Sequence, residues 1–215
     1  NLGTNRIIKS GDLILIDSGG QYLEGTTDIT RTIAFGKINH LKQKHYTLVL
    51  KGMIAVSKLK WPIGLSGKDL DSIARYHLWQ EDLDYEHGTG HGVGSFLSVH
   101  EGPHAISKRN EVELRPGMLV SNEPGFYSQD SHGIRIENLL LIKEPKKILE
   151  SQKIPTLSFE TLTYCPLDRK LILKDLLNAS EIKWINNYHK QIILKYQSKL
   201  TGEQKLWLEN ICLPI

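Results

Sequence analysis

The order of hydrophobic and polar positions predicts a pair of strands at the start of the chain. Residues 13–16 form an apolar run that ends at Asp17, and residues 30–35 are rich in β-branched side chains. Because residues 18–20 are Ser-Gly-Gly, a composition typical of tight turns, we expect the chain to reverse there. The first strand is therefore predicted to be buried and to pair with the second in a hairpin or meander, with Asp28 close to the return.

The pattern then changes to a helical period. Apolar residues recur at helical spacing through residues 39–59, and Ser66 stands three residues before Asp69, as in the capping box that begins many helices. Residues 87–166 are first dense in glycine and then alternate between apolar and polar side chains, which predicts turn-rich β-structure. Helical spacing returns beyond Pro166, in "LDRKLILKDLL", "SEIKWINNYHKQIILKYQSKL" and "GEQKLWLENIC". The fold class is therefore predicted to be α+β with a helical end.

Composition and charge narrow the class of protein. The chain has 215 residues, 40% of them hydrophobic and 24% charged, which is typical of a globular protein with one large domain. A net charge of +3 with scattered basic residues gives no reason to expect a nucleic-acid partner. Cys165 and Cys212 lack metal or redox spacing, and no apolar run is long enough to cross a bilayer. We expect a soluble, cytoplasmic protein without a membrane partner.

Four acidic residues interrupt apolar or β-type runs. Asp17 and Asp28 lie on either side of the predicted turn, and Glu123 and Glu137 are single acids in later β-type runs. A buried ionised carboxylate is costly unless it is paired or bound to a cation, so four converging acids would require about two divalent cations. Taken singly, each acid also suits a turn or loop, and Glu137 could pair with Arg135 on the same strand face.

Three of the nine histidines lie within the glycine-dense stretch. They are His87, His91 and His100, and Gly90 and Gly92 flank the second of them. Imidazole suits first-row transition metals, and glycine permits close approach of the backbone. Spacing alone leaves a metal site and an ordinary polar role about equally open. The other histidines are assigned structural or surface roles: His40, His45, His77, His104, His132 and His189.

Four segments together resemble a known family. "IDSGGQYLEGTTDITRT", "HGTGHGVGSFLSVHEGP", "SNEPGFY" and "GIRIENLLLI" are similar to the metal- and substrate-binding motifs of the pita-bread metallopeptidases, which include methionine aminopeptidase, prolidase and aminopeptidase P. The second segment, with "LTYCPLDRKLI" and "WINNYH", resembles aminopeptidase P most closely. The resemblance implies a pita-bread (creatinase/aminopeptidase-like) catalytic domain at residues 1–157 and a mainly helical C-terminal extension, packed on it, at residues 158–215.

The resemblance also implies a metal site. Asp17 would bind the first metal, and Asp28 and Glu137 would bridge both metals. His91 and Glu123 would complete the coordination of the second metal. The family usually binds two manganese ions and can take cobalt, zinc or iron, and the sequence does not choose among them. A water or hydroxide that bridges the two metals would be the nucleophile, because a metal pair lowers the pKa of water and stabilises an oxyanion.

Further roles follow from the same resemblance. His87 and His100 would bind substrate and stabilise the tetrahedral intermediate, as the near-neutral pKa of histidine allows. Glu123 would also carry a proton to the leaving proline nitrogen, and Arg135 would orient a ligand carboxylate. The implied enzyme is a hydrolase, an Xaa-Pro aminopeptidase that cuts peptides with proline at the second position and forms a homodimer.

One feature departs from the family. The family has a further substrate-contacting histidine upstream of its first metal aspartate, and none occurs between Asn1 and Asp17. We expect this histidine and the opening elements of the fold to lie before Asn1, so that the chain by itself binds metal but hydrolyses peptides poorly. The alternatives are a prolidase-type X-Pro dipeptidase and a non-catalytic pita-bread binding module, against which the retained ligand-type residues argue.

Overall fold

A computed structural model of the protein describes residues 5–144 and 154–215. It contains ten strands and four α-helices in these ranges. The strands are Leu13–Tyr22 (β1), Gly25–Ala34 (β2), Lys60–Pro62 (β3), Gly90–His91 (β4), Ala105–Ile106 (β5), Leu119–Asn122 (β6), Gly125–Ser128 (β7), His132–Arg135 (β8), Asn138–Lys143 (β9) and Thr156–Thr161 (β10). The helices are His40–Ser57 (α1), Gly67–Trp79 (α2), Ala179–Tyr196 (α3) and Gly202–Ile211 (α4).

The first two strands form a long antiparallel hairpin, but its turn is not where the sequence indicated. The predicted turn at residues 18–20 is wrong, because these residues stay extended and the chain reverses at residues 23–24. Two strands of ten residues each, fully paired, leave two residues for the loop, which is the commonest hairpin connection. The register sets Asp17 opposite Thr30 and Asp28 opposite Gly19. Both carboxylates therefore lie on one face, as diagonal neighbours.

Strand β1 is less buried than its apolar run suggests. Ile16 is 48% exposed, and residues 13–15 are only half-buried. Within the described ranges, β1 pairs with β2 along one edge, and no strand pairs with its other edge. The prediction of a buried strand is wrong for this reason: one edge and much of one face contact solvent.

Side-chain caps begin helices α1 and α2, and a glycine lets the two helices pack closely. The side chain of Asn39 accepts a hydrogen bond of 2.9 Å from the backbone N–H of Lys42 at the start of α1. The predicted capping box of α2 is confirmed: Asp69 accepts from the backbone N–H of Ser66 at 2.7 Å. A Cβ on Gly52 would lie 2.1 Å from the carbonyl oxygen of Ala74, so only glycine lets the two helices approach this closely.

A four-stranded antiparallel sheet lies next to these helices. Its strand order is β3-β10-β9-β6, and β4–β5 and β7–β8 form two smaller pairs. The domain boundary proposed between residues 157 and 158 falls inside β10, which pairs with both β3 and β9. One apolar cluster fills the space between this sheet and α2: Val56, Trp61, Leu70, Ala74, Ile106, Leu114, Val120, Leu140, Ile142 and Leu157.

The C-terminal residues pack on α1 rather than standing apart. Ile185 and Tyr188 of α3 belong to the same buried cluster as Tyr46 and Leu50 of α1. Helices α3 and α4 agree with the predicted helical spacing, but residues 167–177 form only two short 3-10 turns. The backbone of that segment bonds elsewhere, since the N–H of Leu173, for example, donates to Thr47 Oγ1 at 2.9 Å. In the parts of the chain that are described, no helix is long and apolar enough to cross a membrane.

Candidate active site

The five side chains expected to bind metal converge on one site. Asp17 and Asp28 project from the hairpin, His91 lies on β4, Glu123 follows β6, and Glu137 lies between β8 and β9. Ligand atoms lie within 4.8 Å of one another in three sets. These are Asp17 with Asp28 and Glu137, then His91 with Glu123 and Glu137, and finally Asp28 with His91 and His100. Asp28, His91 and Glu137 each belong to two sets, and Glu137 shares one set with Asp17 and Asp28 and another with His91 and Glu123.

The glycines that flank His91 serve the backbone. A Cβ on Gly90 would lie 1.8 Å from the carbonyl oxygen of Ser121, and a Cβ on Gly92 would lie 2.1 Å from that of Glu101. The glycine framing that drew attention in the sequence therefore lets β4 pack closely against its neighbours. This close packing brings Ser121 Oγ to 2.9 Å from the His91 backbone nitrogen and to 2.9 Å from a Glu123 carboxylate oxygen.

One ring nitrogen of His91 bonds to the backbone, and the other faces the carboxylates of Glu123 and Asp28. Nδ1 lies 2.9 Å from the carbonyl oxygen of Gly92, so this nitrogen carries a proton and donates. Nε2 lies 3.2 Å from Glu123 and 3.4 Å from Asp28. Burial acts to lower the pKa of His91, but hydrogen bonds to the carboxylates of Asp28 and Glu123 raise it to about 10. Nε2 is the atom that a cation would bind in place of a proton.

Glu137 provides the test of whether a cation fits this site. Its side chain is 1% exposed, and Oε2 accepts a hydrogen bond of 2.6 Å from Thr30 Oγ1. Among the described residues, Oε1 is buried and has no hydrogen-bond partner. Burial, followed by the charge of Glu123, raises the pKa of Glu137 to about 8. An unpaired buried carboxylate oxygen beside three other acids fits a cation ligand, and the mixture of carboxylates with imidazole suits manganese, iron, cobalt or zinc.

Arg135 of β8 contacts the acids from one side. Its guanidinium forms an ion pair with Asp17, and Nε lies 3.7 Å from Glu123 Oε2. The same Nε donates to Thr30 Oγ1 at 3.1 Å, and Thr30 in turn donates to Glu137. The link between Arg135 and Glu137 therefore runs through a hydroxyl, in contrast to the direct salt bridge that the sequence left open.

The two histidines expected to contact substrate occupy different positions. His100 is exposed, and its ring centroid lies 4.0 Å from that of His91. His87 Nε2 lies 2.9 Å from the hydroxyl of Tyr127, which accepts from Arg135 Nη1 at 3.0 Å. Sequence reasoning did not single out Tyr127, although it ends the quoted segment "SNEPGFY". This tyrosine connects the His87 ring to the arginine that contacts Asp17.

Arg31 is a second residue that the sequence reasoning missed. It is 5% exposed on β2, and Nη1 donates to the backbone carbonyls of Thr30 and Glu137 at 2.9 and 2.6 Å. Nη2 donates to the carbonyl of Cys165 and to the hydroxyl of Tyr188, both at 2.9 Å. One buried guanidinium thus ties the segments that carry Asp28 and Glu137 to the C-terminal region. Its place in "DITRT", beside a predicted ligand, was the available signal.

A cleft of about 440 Å³ opens beside the acids. Its lining includes Asp17, Asp28, Thr26, Leu97 and His100. A larger cavity of about 870 Å³ lies against the opposite face of the hairpin and is predominantly apolar. The polar cleft, rather than the larger cavity, is the space next to the converging side chains.

The family assignment rests on matches to family models. Residues 2–144 match metallopeptidase family M24, and residues 155–215 match the C-terminal region of peptidase M24. The chain belongs to metallopeptidase family M24. Among curated relatives of this M24 chain, a probable Xaa-Pro aminopeptidase P of Tuber melanosporum is 48% identical over 99% of the chain and 35% of the relative. One from Neosartorya fischeri is 46% identical over 99% of the chain and 33% of the relative.

Solved structures show the fold of the M24 chain. The crystal structure of X-prolyl aminopeptidase from Caenorhabditis elegans, described as a cytosolic enzyme with a di-nuclear active site, is 39% identical with a TM-score of 0.92. The match covers 100% of this chain and 35% of that one. A prolidase from Pyrococcus horikoshii has a TM-score of 0.63 and 35% identity, covering 79% of this chain and 44% of that one. The predicted α+β pita-bread fold and the resemblance to aminopeptidase P are confirmed.

The M24 chain is short beside these proteins. It spans about a third of the length of the curated Xaa-Pro aminopeptidase P relatives and of the Caenorhabditis elegans chain. The catalytic, substrate-binding and metal roles of individual residues stay predictions.

Proposed function

We propose that the protein is a two-metal aminopeptidase that removes the first residue from peptides with proline at the second position. The observation that carries the proposal is the convergence of five ligand-type side chains at Glu137, whose buried Oε1 has no hydrogen-bond partner among the described residues. This convergence occurs in an M24 chain that aligns over 99% of its length with proteins named probable Xaa-Pro aminopeptidase P.

Two divalent metal ions, most often manganese in the resembled family, are the proposed cofactors. Asp17 would bind one ion, His91 and Glu123 the other, and Asp28 and Glu137 both. The grouping of Glu137 with Asp17 and Asp28 in one set of neighbouring ligand atoms, and with His91 and Glu123 in another, supports this division. When bound, such a pair lowers the pKa of water and stabilises negative charge on the attacked carbonyl oxygen.

The side chains around the acids supply binding and proton transfer. Glu123 would accept a proton from the attacking water and return it to the leaving proline nitrogen, which carries no hydrogen of its own in the peptide. The hydrogen bond from Ser121 Oγ to Glu123, at 2.9 Å, would hold the carboxylate for this exchange. His100 lines the cleft and is exposed, so its ring is available to donate to the substrate.

His87 would act on the other side of the acids. Its Nδ1 donates to the carbonyl oxygen of Gly88 at 2.7 Å, and Nε2 lies 2.9 Å from the hydroxyl of Tyr127. Arg135 would hold Asp17 in place through their ion pair. To bind the substrate or its tetrahedral intermediate, His87 would exchange the contact of Nε2 with Tyr127 for one with the substrate.

The test uses the protein at its natural length. Metal is removed with a chelator and restored as manganese, and the release of the first residue from a tripeptide X-Pro-X is measured. We expect no release without metal and full release with it. No bound metal and no release under any divalent ion would overturn the proposal and favour a non-catalytic binding module.

A second comparison separates aminopeptidase from prolidase activity. The similarity to an archaeal prolidase covers 79% of the chain, whereas the Xaa-Pro aminopeptidase P match covers 99% and includes the C-terminal region. We therefore expect faster hydrolysis of X-Pro-X than of the dipeptide X-Pro. Preference for the dipeptide would contradict the proposed substrate class.

Oligomeric state and location are proposed on the same basis. Leu206 and Trp207 of α4 are 67% and 58% exposed, an apolar surface that suits the proposed homodimer. Sedimentation analysis would reveal a monomer if the dimer is wrong. A cytosolic location is proposed by analogy with the Caenorhabditis elegans enzyme, and cell fractionation tests it.

A further inference from the structure

A buried ion pair lies beneath the segment that leads into the site. Asp71 and Arg75 of α2 are each 1% exposed, and the two side chains meet in a two-pronged contact. Arg75 Nε donates to Asp71 Oδ2 at 2.7 Å, and Arg75 Nη2 donates to Asp71 Oδ1 at 3.2 Å. The Asp71–Arg75 pair faces residues 83–89, which lie outside helices and strands.

Arg75 uses all five of its N–H donors. Besides the two that go to Asp71, Nη1 donates to Asp84 Oδ1 at 2.7 Å and to the carbonyl of Tyr85 at 2.6 Å. The second hydrogen on Nη2 reaches the carbonyl of His87 at 2.7 Å. The guanidinium carbon also lies 3.8 Å from the centre of the Tyr85 ring. Because guanidinium donors have a fixed planar geometry, these acceptors are held in fixed relative positions.

Asp71 extends the hydrogen-bond network, through Thr89, to the proposed metal-binding residue Glu123. Its Oδ1 accepts from Thr89 Oγ1 at 2.7 Å and from the Thr89 backbone N–H at 3.3 Å. The hydroxyl of Tyr85 lies 2.5 Å from Thr89 Oγ1. The carbonyl of Thr89 accepts from the backbone N–H of Glu123 at 2.7 Å. Thr89 is therefore bonded on one side to the buried pair and on the other to a proposed metal ligand, and it stands two residues from His91.

The buried ion pair supplies hydrogen-bond partners to a segment that has no regular secondary structure. Buried backbone groups need partners, and residues 83–89, of which Tyr85 and Thr89 are buried, have no sheet or helix ladder to provide them. A buried ion pair is itself a weak source of stability compared with apolar packing, so stability alone does not explain it. The acceptors that it fixes, the His87 carbonyl and Thr89, belong to the segment that carries two residues of the proposed site.

We propose that Asp71, Arg75 and Thr89 are positioning residues that fix His87, His91 and Glu123 relative to one another. The inference rests on the proposed function and deepens it, by naming what holds one side of the site in register. Among the described residues, none of the three forms a hydrogen bond with a ligand carboxylate, and the contact of Thr89 with Glu123 is between backbone groups. Their effect passes through the His87 carbonyl, the short link from Thr89 to His91, and the Thr89–Glu123 backbone hydrogen bond.

The test compares Thr89→Val with Thr89→Ser. Valine keeps the shape but removes the hydroxyl that bonds Asp71, whereas serine keeps the hydroxyl and so serves as the conservative rescue. In the natural-length protein we expect Thr89→Val to lower kcat for X-Pro-X hydrolysis about 10- to 100-fold, because misplacement by about 1 Å can cost that much. KM should change little, and Thr89→Ser should recover most of kcat.

Two readouts do not depend on activity. Manganese affinity, measured by calorimetry, should weaken about 10-fold or more in Thr89→Val, as it does when groups that orient metal ligands are lost. Hydrogen exchange at the Glu123 amide should also quicken, while a denaturant titration shows that the variant is folded. A purely structural role would lower the unfolding midpoint and leave kcat per folded molecule, manganese affinity and Glu123 exchange unchanged, and that result would overturn the inference.

Arg75→Lys provides a second variant that keeps the charge. Lysine has three donors on a flexible stem and cannot satisfy the five contacts, so the same three quantities should shift in the same direction. If the unmodified protein lacks X-Pro hydrolysis, the proposed function fails, and the exchange measurement still decides on positioning. If the unmodified protein is active and Thr89→Val matches it throughout, the positioning role fails and the function stands.

Discussion

The two sides of the candidate site are supported in different ways. Asp17 and Asp28 project from a hairpin whose first strand is largely exposed, and Asp17 itself is exposed with Arg135 as its partner. Glu137, His91 and Glu123 instead lie on segments held by buried side chains, among them Ser121 and, from the buried second strand of the hairpin, Thr30 and Arg31. The difference indicates that the buried side is fixed by the fold, whereas Asp17 on the exposed first strand depends more on the charge that it binds.

The largest loss of peptide hydrolysis should come from Glu137→Gln on the buried side of the site. The change removes one negative charge and a ligand oxygen shared by both proposed metals. We expect hydrolysis to fall at least about 1,000-fold, because a bound metal stabilises the transition state by several kcal/mol. Steady-state assays and metal analysis would measure it.

The matched control is Asp17→Asn on the hairpin side. This exposed residue belongs to one ligand set, so we expect loss of one metal per chain and retention of the other. Equal metal loss in both variants would break the comparison between the two sides.

Arg31→Lys should destabilise the buried side next most strongly. Lysine cannot reach the carbonyls of Thr30, Glu137 and Cys165 together. The carbonyls of Thr30 and Cys165 keep a second donor, but the Glu137 carbonyl has no other among the described residues, and a buried acceptor left unpaired costs about 1–3 kcal/mol. We expect the free energy of unfolding to fall by roughly 3 kcal/mol in urea titrations. Arg135→Lys, at a less buried position, should cost less stability. The reverse order would mean that the hairpin side carries more of the fold.

Ser121→Ala should have an intermediate effect within the buried side. Ser121 Oγ bonds both the His91 backbone and the Glu123 carboxylate, so its loss frees two proposed ligands at once. We expect manganese affinity to weaken about 10- to 100-fold, with only about 1 kcal/mol lost in stability. Titration calorimetry measures the first and urea unfolding the second. Unchanged affinity would show that strand pairing alone holds these ligands.

Acid should weaken the C-terminal support of the buried side. Burial lowers the pKa of His189 to about 4, and Nε2 accepts from the Leu167 N–H at 3.1 Å. Because the unfolded chain binds this proton more readily, His189 makes stability fall as pH drops from about 6.5 to about 4. Urea titrations across this range should show a smaller pH dependence in His189→Gln. An identical pH dependence in both proteins would exclude His189 as the cause.

The smallest expected effect is on hairpin motion. Without metal, the amides of β1 and β2 near Asp17 and Asp28 should exchange faster than those of β6 and β9, and manganese should slow the hairpin amides most. Hydrogen exchange with and without manganese measures this difference. Equal slowing on both sides would remove the distinction between them.

Local pattern was a good guide wherever the neighbours were close in sequence. The capping box at Ser66 and the spans of α1, α3 and α4 follow from short-range chemistry, and the structure agrees with them. The turn at residues 18–20 failed because the strand pairing of β1 with β2 outweighs the turn preference of Ser-Gly-Gly. The helical pattern of residues 167–177 failed because their backbone bonds to residues of other elements.

The candidate site divides in the same way. The five ligand-type residues were named from motifs in the sequence, and the structure brings them together. Their supports were not named: Arg31, Tyr127 and Thr89 lie inside the quoted segments and Asp71 and Arg75 are four residues apart on α2, but nothing local shows which distant groups they contact. Each of these acts on a residue far along the chain, as when Arg31 bonds the carbonyls of Glu137 and Cys165.

The sequence by itself determined the α+β class from its periodicity and the family from the resemblance of its motifs, and that resemblance implied the set of candidate ligands. Only the tertiary structure decided that Asp17 and Asp28 share a face, that Glu137 keeps a buried oxygen with no partner in the described part of the chain, and that Ser121 joins His91 to Glu123. The physical reason is that spacing specifies which groups are present, whereas burial and hydrogen bonding depend on segments that meet only in the folded chain.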